Sequence, residues 1–279
     1  MDVVAYQGEA GAFSEEGTLA LFPDAERQAV PSIRKVFEAV EVGRVDAGLV
    51  PLDNSQAGSI NETYDLFLRH GLHLVGETVV RVDHCLLALP GSAIDELREV
   101  MSHPQAIAQC EEFLSALEAT VRAEYNTAGA AKRIAEERLE RTAAIASKRA
   151  GELYGLEVLA ERIQTYPDNY TRFGVLSRSP EPLGEPDKTS LVFGVGHVAG
   201  SLFRCLGAFA ERHLNLTKLE SRPRPGRPWE YVFYADVDAP AVRPEMVEAL
   251  AALSDHATFT RVLGSYAAAM QRLRPHVSR

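Results

Sequence analysis

The chain has few cysteines, no long apolar run and no excess of positive charge, and each shortage removes a class of function. Its three cysteines, Cys85, Cys110 and Cys205, are far apart and odd in number, and no CxxC pair occurs. Neither a disulfide framework nor a zinc site is supported by that spacing, so no metal is expected. The longest apolar run, Cys85 to Leu89, is far too short to span a bilayer. The opening stretch MDVVAYQGEAG lacks the basic and apolar regions of a signal peptide. A soluble protein of the reduced cytoplasm is expected, with no membrane partner and no role as a periplasmic receptor. The formal net charge of -10 repels a polyanion, which makes nucleic acid a poor partner. A small anion is still admissible, because a few arginines in a cleft can set the local potential.

What is present is the composition of an ordinary globular protein, 46% hydrophobic and 24% charged over 279 residues. That length suits two or three compact units. Up to about residue 180, β-rich runs alternate with helical patterns. Asp2–Tyr6 reads as a strand and Gly8–Phe13 as a turn, with Ser14 as the N-cap of a helix. Ile33, Val36, Phe37 and Val40 fall at i, i+3, i+4 and i+7, the stripe of an amphipathic helix. Val45–Val50, Leu74–Val82, Cys85–Leu89 and Ala143–Ser147 read as strands between such helices. The alternation predicts parallel sheets covered by helices on both faces. Ser179–Lys188 holds three prolines and a glycine, a linker by content. Beyond it the pattern is βαββαβ in fewer than 100 residues, a ferredoxin-like module, and from about Pro275 a disordered tail is expected.

Polar residues gather in four places outside the apolar faces. Gly8-x-x-Gly11-x-Phe13-Ser14 brings backbone N–H groups to a helix start, which favours an anion but also describes a plain capped turn. Asp53, Asn54 and Ser55 follow a strand, where open α/β sheets hold ligands, yet the same residues are common turn formers. His103-Pro-Gln105 sits at a strand-to-helix junction; His103 can simply cap the helix, while Gln105 is better placed to face a cleft, and Cys110 reads as core. Asn169-Tyr-Thr171-Arg172-Phe173 sets an arginine beside a hydroxyl and an amide. That is a carboxylate receptor with a donor next to it, or a surface turn whose arginine pairs with a nearby Glu.

In order and spacing, these clusters resemble the prephenate dehydratase family. Pro51–Gly58 is similar to its P-x-[ED]-N-S-x-x-G segment, with Asp53 where glutamate is more frequent. HPQAIAQC (His103–Cys110), NTAGAA (Asn126–Ala131), AAIASKRAGELYGL (Ala143–Leu156) and Thr171-Arg172-Phe173 match in turn. Past the linker, Lys188-Thr-Ser-Leu and Glu220-Ser-Arg-Pro223 resemble the family's ACT-type phenylalanine-binding domain. His197-Val-Ala-Gly200-Ser201-Leu202 departs from the usual N-x-P-G-A-L there.

The resemblance implies an α/β fold with a two-lobed, periplasmic-binding-protein-like catalytic domain over 1–180. Lobe one would span about 1–78 plus 171–180, and lobe two about 79–170. A linker at 181–188 and an ACT-type regulatory domain at 189–279 would follow. It implies conversion of prephenate to phenylpyruvate, water and CO2 in phenylalanine biosynthesis, without a cofactor. With no chorismate mutase segment before Met1, a monofunctional enzyme is expected. Thr171 would donate to the departing hydroxyl and Arg172 would clamp the pyruvyl carboxylate. Asp53, Asn54, Ser55, Gln105, Thr127, Asn169 and Phe173 would bind and orient the substrate. L-phenylalanine would act through His197, Gly200, Ser201, Leu202, Glu220, Ser221, Arg222 and Pro223, between copies in a homodimer or homotetramer. Two alternatives stay open: an arogenate dehydratase and a non-catalytic amino-acid sensor.

Overall fold

A computed structural model describes residues 1–269 apart from Pro225 and Pro228. Along the chain, β1 (Val3–Gln7), α1 (Phe13–Leu21), β2 (Glu26–Val30), α2 (Ile33–Glu41), β3 (Ala47–Asn54), β4 (Gly58–Ser59), α3 (Asn61–Phe67) and β5 (His73–Arg81) come first. There follow β6 (Cys85–Ala88), β7 (Glu99–Ser102), α4 (Pro104–Gln109), α5 (Glu111–Ser115), β8 (Thr120–Ala123), α6 (Thr127–Glu137), β9 (Thr142–Ala146), α7 (Lys148–Tyr154) and β10 (Glu157–Ala160). β11 (Tyr170–Ser177) then returns to the first group. The last unit is β12 (Lys188–Val195), α8 (Ser201–Ala210), β13 (Leu216–Pro223), β14 (Tyr231–Val237), α9 (Pro244–His256) and β15 (Ala257–Tyr266).

Local chemistry accounts for the helix limits. The Ser32 hydroxyl accepts from the Lys35 amide and starts α2, whose buried stripe is Ile33, Val36, Phe37 and Val40. Asn126 caps α6 through the Gly129 amide, and Ser147 caps α7 through Ala150. Such caps satisfy amides that have no acceptor inside the helix. Ser14 is not a cap: Ala12 holds that position, and the Ser14 hydroxyl donates to the Gln7 carbonyl at 2.5 Å.

Two α/β lobes result. Lobe one has the sheet order β2-β1-β3-β11-β5 with β4 beside β3, and lobe two the order β10-β6-β9-β7-β8. Neither sheet is wholly parallel, contrary to the expectation from alternation. β1 runs parallel to β2 and β3, but β11 is antiparallel to both β3 and β5. In lobe two β7 is parallel to β8 and β9, while β6 is antiparallel to β9 and β10. The reversals arise because the chain crosses between lobes twice, and a crossing strand enters its sheet from the opposite end. The crossings lie side by side, with the Val82 amide donating to the Asn169 carbonyl at 2.8 Å.

The third sheet has the order β13-β14-β12-β15, with α8 and α9 on one face over a core that includes Phe193, Phe209 and Leu253. Its other face joins lobe one. Val192, Val232, Tyr234, Leu263 and Tyr266 share a core with Leu52, Tyr64, Phe67, Leu72 and Leu74. The Arg261 guanidinium donates to the carbonyls of Phe67, His70 and Leu72 at 2.6–2.9 Å, closing the end of α3. Gly264 lies so close to β5 that a Cβ there would overlap the Leu74 carbonyl. The proline-rich segment is not a free tether: Leu183 donates to the Val75 carbonyl at 2.7 Å and packs on Gly76. The tail expected from Pro275 lies outside the described residues.

Candidate active site

A cavity of about 460 Å³ lies between the lobes. Lobe one brings Gln7 and Gly8 from the end of β1, and Pro51 and Asn54 from β3. These are carboxyl ends of strands, where the sheet leaves room for a ligand. The N-terminal ends of α1, α2 and α6 also reach it, through Phe13, Ser14, Ser32, Ile33, Asn126 and Thr127. Gln105 and Gln109 enter from α4, and Val82 and His84 from the first crossing.

The turn before α1 closes one side. Gly11 has φ +86° and approaches α7 so tightly that a Cβ would fall 2.8 Å from the Ala150 Cα. Ser147 donates to the Gly11 carbonyl at 2.6 Å, and Tyr154 to that of Ala10 at 2.8 Å. Glu9 completes the bridge, accepting from Tyr125 at 2.9 Å and Lys132 at 3.0 Å.

Thr171 and Phe173 of β11 line the cavity from below. The Thr171 Oγ1 accepts from Asn54 Nδ2 at 3.1 Å. The Asn54 amide has no freedom to turn over, because its Oδ1 accepts from the backbone amides of Gln56 at 3.0 Å and Ala57 at 2.9 Å. Among the described residues the Thr171 hydroxyl has no protein acceptor, which leaves its own proton for the cavity.

Glu62 is the one formally charged side chain among the described cavity residues. The N-terminal ends of α1, α2 and α6 lie at the cavity wall, and their helix dipoles favour an anion there. The His103 Nδ1 accepts from the Gln105 amide at 3.2 Å, and partial desolvation pushes its imidazole below the ordinary 6.5.

Arg172 does not face this cavity. On a strand, neighbours point to opposite sides, so Thr171 and Phe173 meet the ligand space while Arg172 turns toward the third sheet. There its guanidinium pairs with Asp53 (Nε to Oδ2 2.7 Å), Glu77 (2.9 Å) and Asp236 (2.8 Å). All its charge is committed, and the expected clamp on a pyruvyl carboxylate is not available in this arrangement. Asp53 is displaced for a related reason. The β3–β11 register slips between Arg172 and Phe173, and this bulge turns both Leu52 and Asp53 away from the cavity. Asp53 also binds Lys218 of β13 and accepts from Tyr64. Burial raises the Asp53 carboxyl pKa, but Arg172 and Lys218 outweigh it and hold the group below its usual value.

Of the other expected residues, Asn54, Gln105, Thr127, Thr171 and Phe173 share the cavity wall. Asn169 is fully buried behind Asn54, and Ser55 ties the crossing together, donating to the Asp168 carbonyl and accepting from the Tyr170 amide. His84 and Gln109 were not expected. Gln109 stands inside the HPQAIAQC motif one helical turn beyond Gln105, which is the signal that could have found it.

A family model described as prephenate dehydratase matches residues 4–181, and one described as ACT domain matches 189–255. The chain belongs to the prephenate dehydratase family. Among curated relatives, arogenate dehydratase/prephenate dehydratase 2, chloroplastic, of Arabidopsis thaliana is 46% identical over 274 residues, covering 94% of this chain and 72% of its own. Arogenate dehydratase 1 of Petunia hybrida is also 46% identical, covering 94% of this chain and 66% of its own. A solved prephenate dehydratase from Arthrobacter aurescens in complex with L-Phe is 31% identical with a TM-score of 0.88, covering 99% of this chain and 92% of its own. GqqA, described as a novel type of quorum-quenching acylase, is 33% identical with a TM-score of 0.87, covering 97% and 99%. The two-lobed α/β fold followed by an ACT-type sheet is therefore the fold expected of this family. No described helix is long and apolar enough to cross a membrane.

The expected effector residues divide between two faces of the ACT-type sheet. Glu220 and Arg222 point to lobe one, reaching Ser59 at 3.2 Å and Asp65 at 2.8 Å. Ser221 and Pro223 alternate with them and look to the α8 side. Gly200, at φ +80°, caps α8 next to Ser201 and Leu202, and His197 is exposed in the loop before it. Glu220 and Arg222 are thus docking contacts in this structure, while His197, Gly200, Ser201 and Leu202 remain grouped at one helix start.

Proposed function

We propose that the chain converts prephenate to phenylpyruvate, CO2 and water, with the Thr171 hydroxyl as the donor to the departing oxygen. The observation that carries this reading is the Thr171 oxygen held by Asn54 at 3.1 Å at the cavity wall. As the C–CO2 bond breaks, its electron pair enters the ring, and the hydroxyl departs with the pair of the C–O bond. The prephenate dianion takes up a proton and becomes the phenylpyruvate anion, CO2 and water. Aromatisation supplies the drive, so the reaction needs neither metal nor organic cofactor. The barrier lies in the poor leaving group, where a positioned donor is worth ~10²–10⁴ in rate.

The charge pattern suits this reaction. The ring carboxylate must become neutral CO2, and a cation gripping it would stabilise the ground state more than the transition state. Helix ends can hold a carboxylate without such a grip. Asn54, Gln105, Thr127 and Phe173 would orient the substrate, with Asn169 behind Asn54.

Glu62 favours a second reading, arogenate dehydration, because arogenate carries an ammonium where prephenate has a ketone. An acylase would need a nucleophile beside a base; among the described cavity residues no hydroxyl is hydrogen-bonded to a histidine. A pure amino-acid sensor would have no use for a donor held as Thr171 is.

L-phenylalanine regulation through the start of α8, in a dimer or tetramer, completes the proposal, with the reaction set in the cytoplasm. Exposed Val198 and Phe203 beside that site support self-association. Absorbance of phenylpyruvate in alkali tests the reaction with the purified chain and no added cofactor. Turnover of prephenate supports it, a higher kcat/KM with arogenate selects the second reading, and no turnover of either contradicts both.

A further inference from the structure

Three primary amides meet where the lobes cross: Asn54 at the end of β3, Asn169 ahead of β11, and Gln109 at the end of α4. Asn54 Nδ2 donates to Asn169 Oδ1 at 2.8 Å, Asn169 Nδ2 to Gln109 Oε1 at 2.9 Å, and Gln109 Nε2 to Asn54 Oδ1 at 3.3 Å. Each amide gives to the next, so the ring closes in one direction. The backbone amides on Asn54 Oδ1 fix that direction, and it propagates to the other two side chains.

The ring has one entry and one exit toward the cavity. His84 Nε2 lies 2.9 Å from Gln109 Oε1, an atom that only accepts, so Nε2 carries a proton. The imidazole is 2% exposed, packs edge-on to Phe13 at 5.6 Å, and its Nδ1 has no partner among the described residues. A second proton there would be buried without an acceptor, so the ring is neutral. The exit is Asn54 Nδ2 to Thr171 Oγ1.

We propose that Gln109 and His84 are positioning residues that act on the reaction through Asn54 and Thr171. The inference rests on the dehydratase reading. As charge gathers on the departing oxygen, Thr171 Oγ1 accepts more strongly from Asn54. Amide resonance passes the demand to Asn54 Oδ1 and then along Gln109 to the His84 N–H. Hydrogen bonds in such a chain strengthen one another. Because the gain grows with transition-state charge, it falls on kcat rather than KM. Gln109 is also the lobe-two member of the ring, so the chain is complete only with the lobes in this relation.

The test is a double-mutant cycle in the full chain, with prephenate and arogenate as substrates. Gln109→Met and His84→Leu are expected to lower kcat roughly 10- to 100-fold, the scale of a misplaced catalytic group, with little change in KM. His84→Gln, which keeps an N–H for Gln109, should recover most of that loss. In a Thr171→Ala background Gln109→Met should cost nothing more, since its target is gone. Equal losses in both backgrounds, or His84→Gln no better than His84→Leu, would overturn the proposal while leaving the reaction intact. A wild-type chain inactive on both substrates would instead overturn the dehydratase reading, and this role with it.

Discussion

Thr171 and Arg172 are adjacent on β11 yet serve opposite sides of it: the hydroxyl faces the cavity and the guanidinium faces the ACT-type sheet. The same strand thus carries the proposed donor and the most heavily paired cation of the interdomain contact. Three carboxylates, Asp53, Glu77 and Asp236, converge on Arg172, and Lys188 and Lys218 pair with two of them.

Removing one partner of a buried ion cluster strands the rest, at about 3–5 kcal/mol. Arg172→Met is therefore expected to lower the melting temperature sharply while KM of the surviving enzyme changes little. A large rise in KM with normal thermal stability would return Arg172 to the role of substrate clamp.

Gly264→Ala should also be costly, because β15 has no room for a Cβ against the Leu74 carbonyl. Overpacking of this kind costs about 1–3 kcal/mol or more. Denaturant unfolding should show the loss; an unchanged midpoint would mean that the ACT-type sheet sits farther from β5.

Truncation before the ACT-type unit should not yield a healthy catalytic fragment. It would expose Leu52, Tyr64, Phe67 and Leu74, which share a core with that unit, and unpair Glu77 from Lys188. A fragment ending near residue 180 is expected to aggregate or melt well below the full chain. A monomeric, fully active fragment would contradict the shared core. Gly200→Ala is the better probe of phenylalanine control, since φ +80° is strained for alanine. It should weaken the phenylalanine response more than it lowers basal turnover.

Acid should destabilise the fold in two stages. Burial lowers the His84 imidazole pKa, against a smaller opposing pull from the Gln109 contact and Asp83. A folded pKa below the unfolded one means that the unfolded chain binds the proton better. Stability is then complete above the ordinary 6.5 and is lost as pH falls through the lowered value. His103, also lowered by burial, adds in the same direction. Asp53 and Glu15, both held below their usual values, extend the loss into the carboxylate range. Melting temperature against pH checks this, and His84→Gln should flatten the first stage. An unchanged profile in that variant would remove His84 from the acid response.

Much of this was legible in the chain because the cavity wall is built where strands end and helices begin, and polar residues there have no core to join. Asn54, Gln105 and Thr171 stood out for that reason, and Thr127 through the resemblance of NTAGAA to the family's motif. Strand alternation alone sets Arg172 opposite Thr171, away from the cavity that Thr171 lines. A bulge at Leu52 breaks the alternation along β3, so the strand period alone does not place Asp53. The short strands β2, β8 and β10 carry little sequence signal because they lie at sheet edges, with exposed or half-buried side chains and no apolar alternation. His84 carried no local signal; only the crossing of the two lobes brings it to Gln109.

The proposed help of the Thr171 hydroxyl to the departing ring hydroxyl is tested directly by kcat for phenylpyruvate formation. Thr171→Ala should lower kcat by ~10²-fold or more, with Thr171→Ser restoring much of the rate. A Thr171→Ala enzyme within a few-fold of wild type would contradict the account.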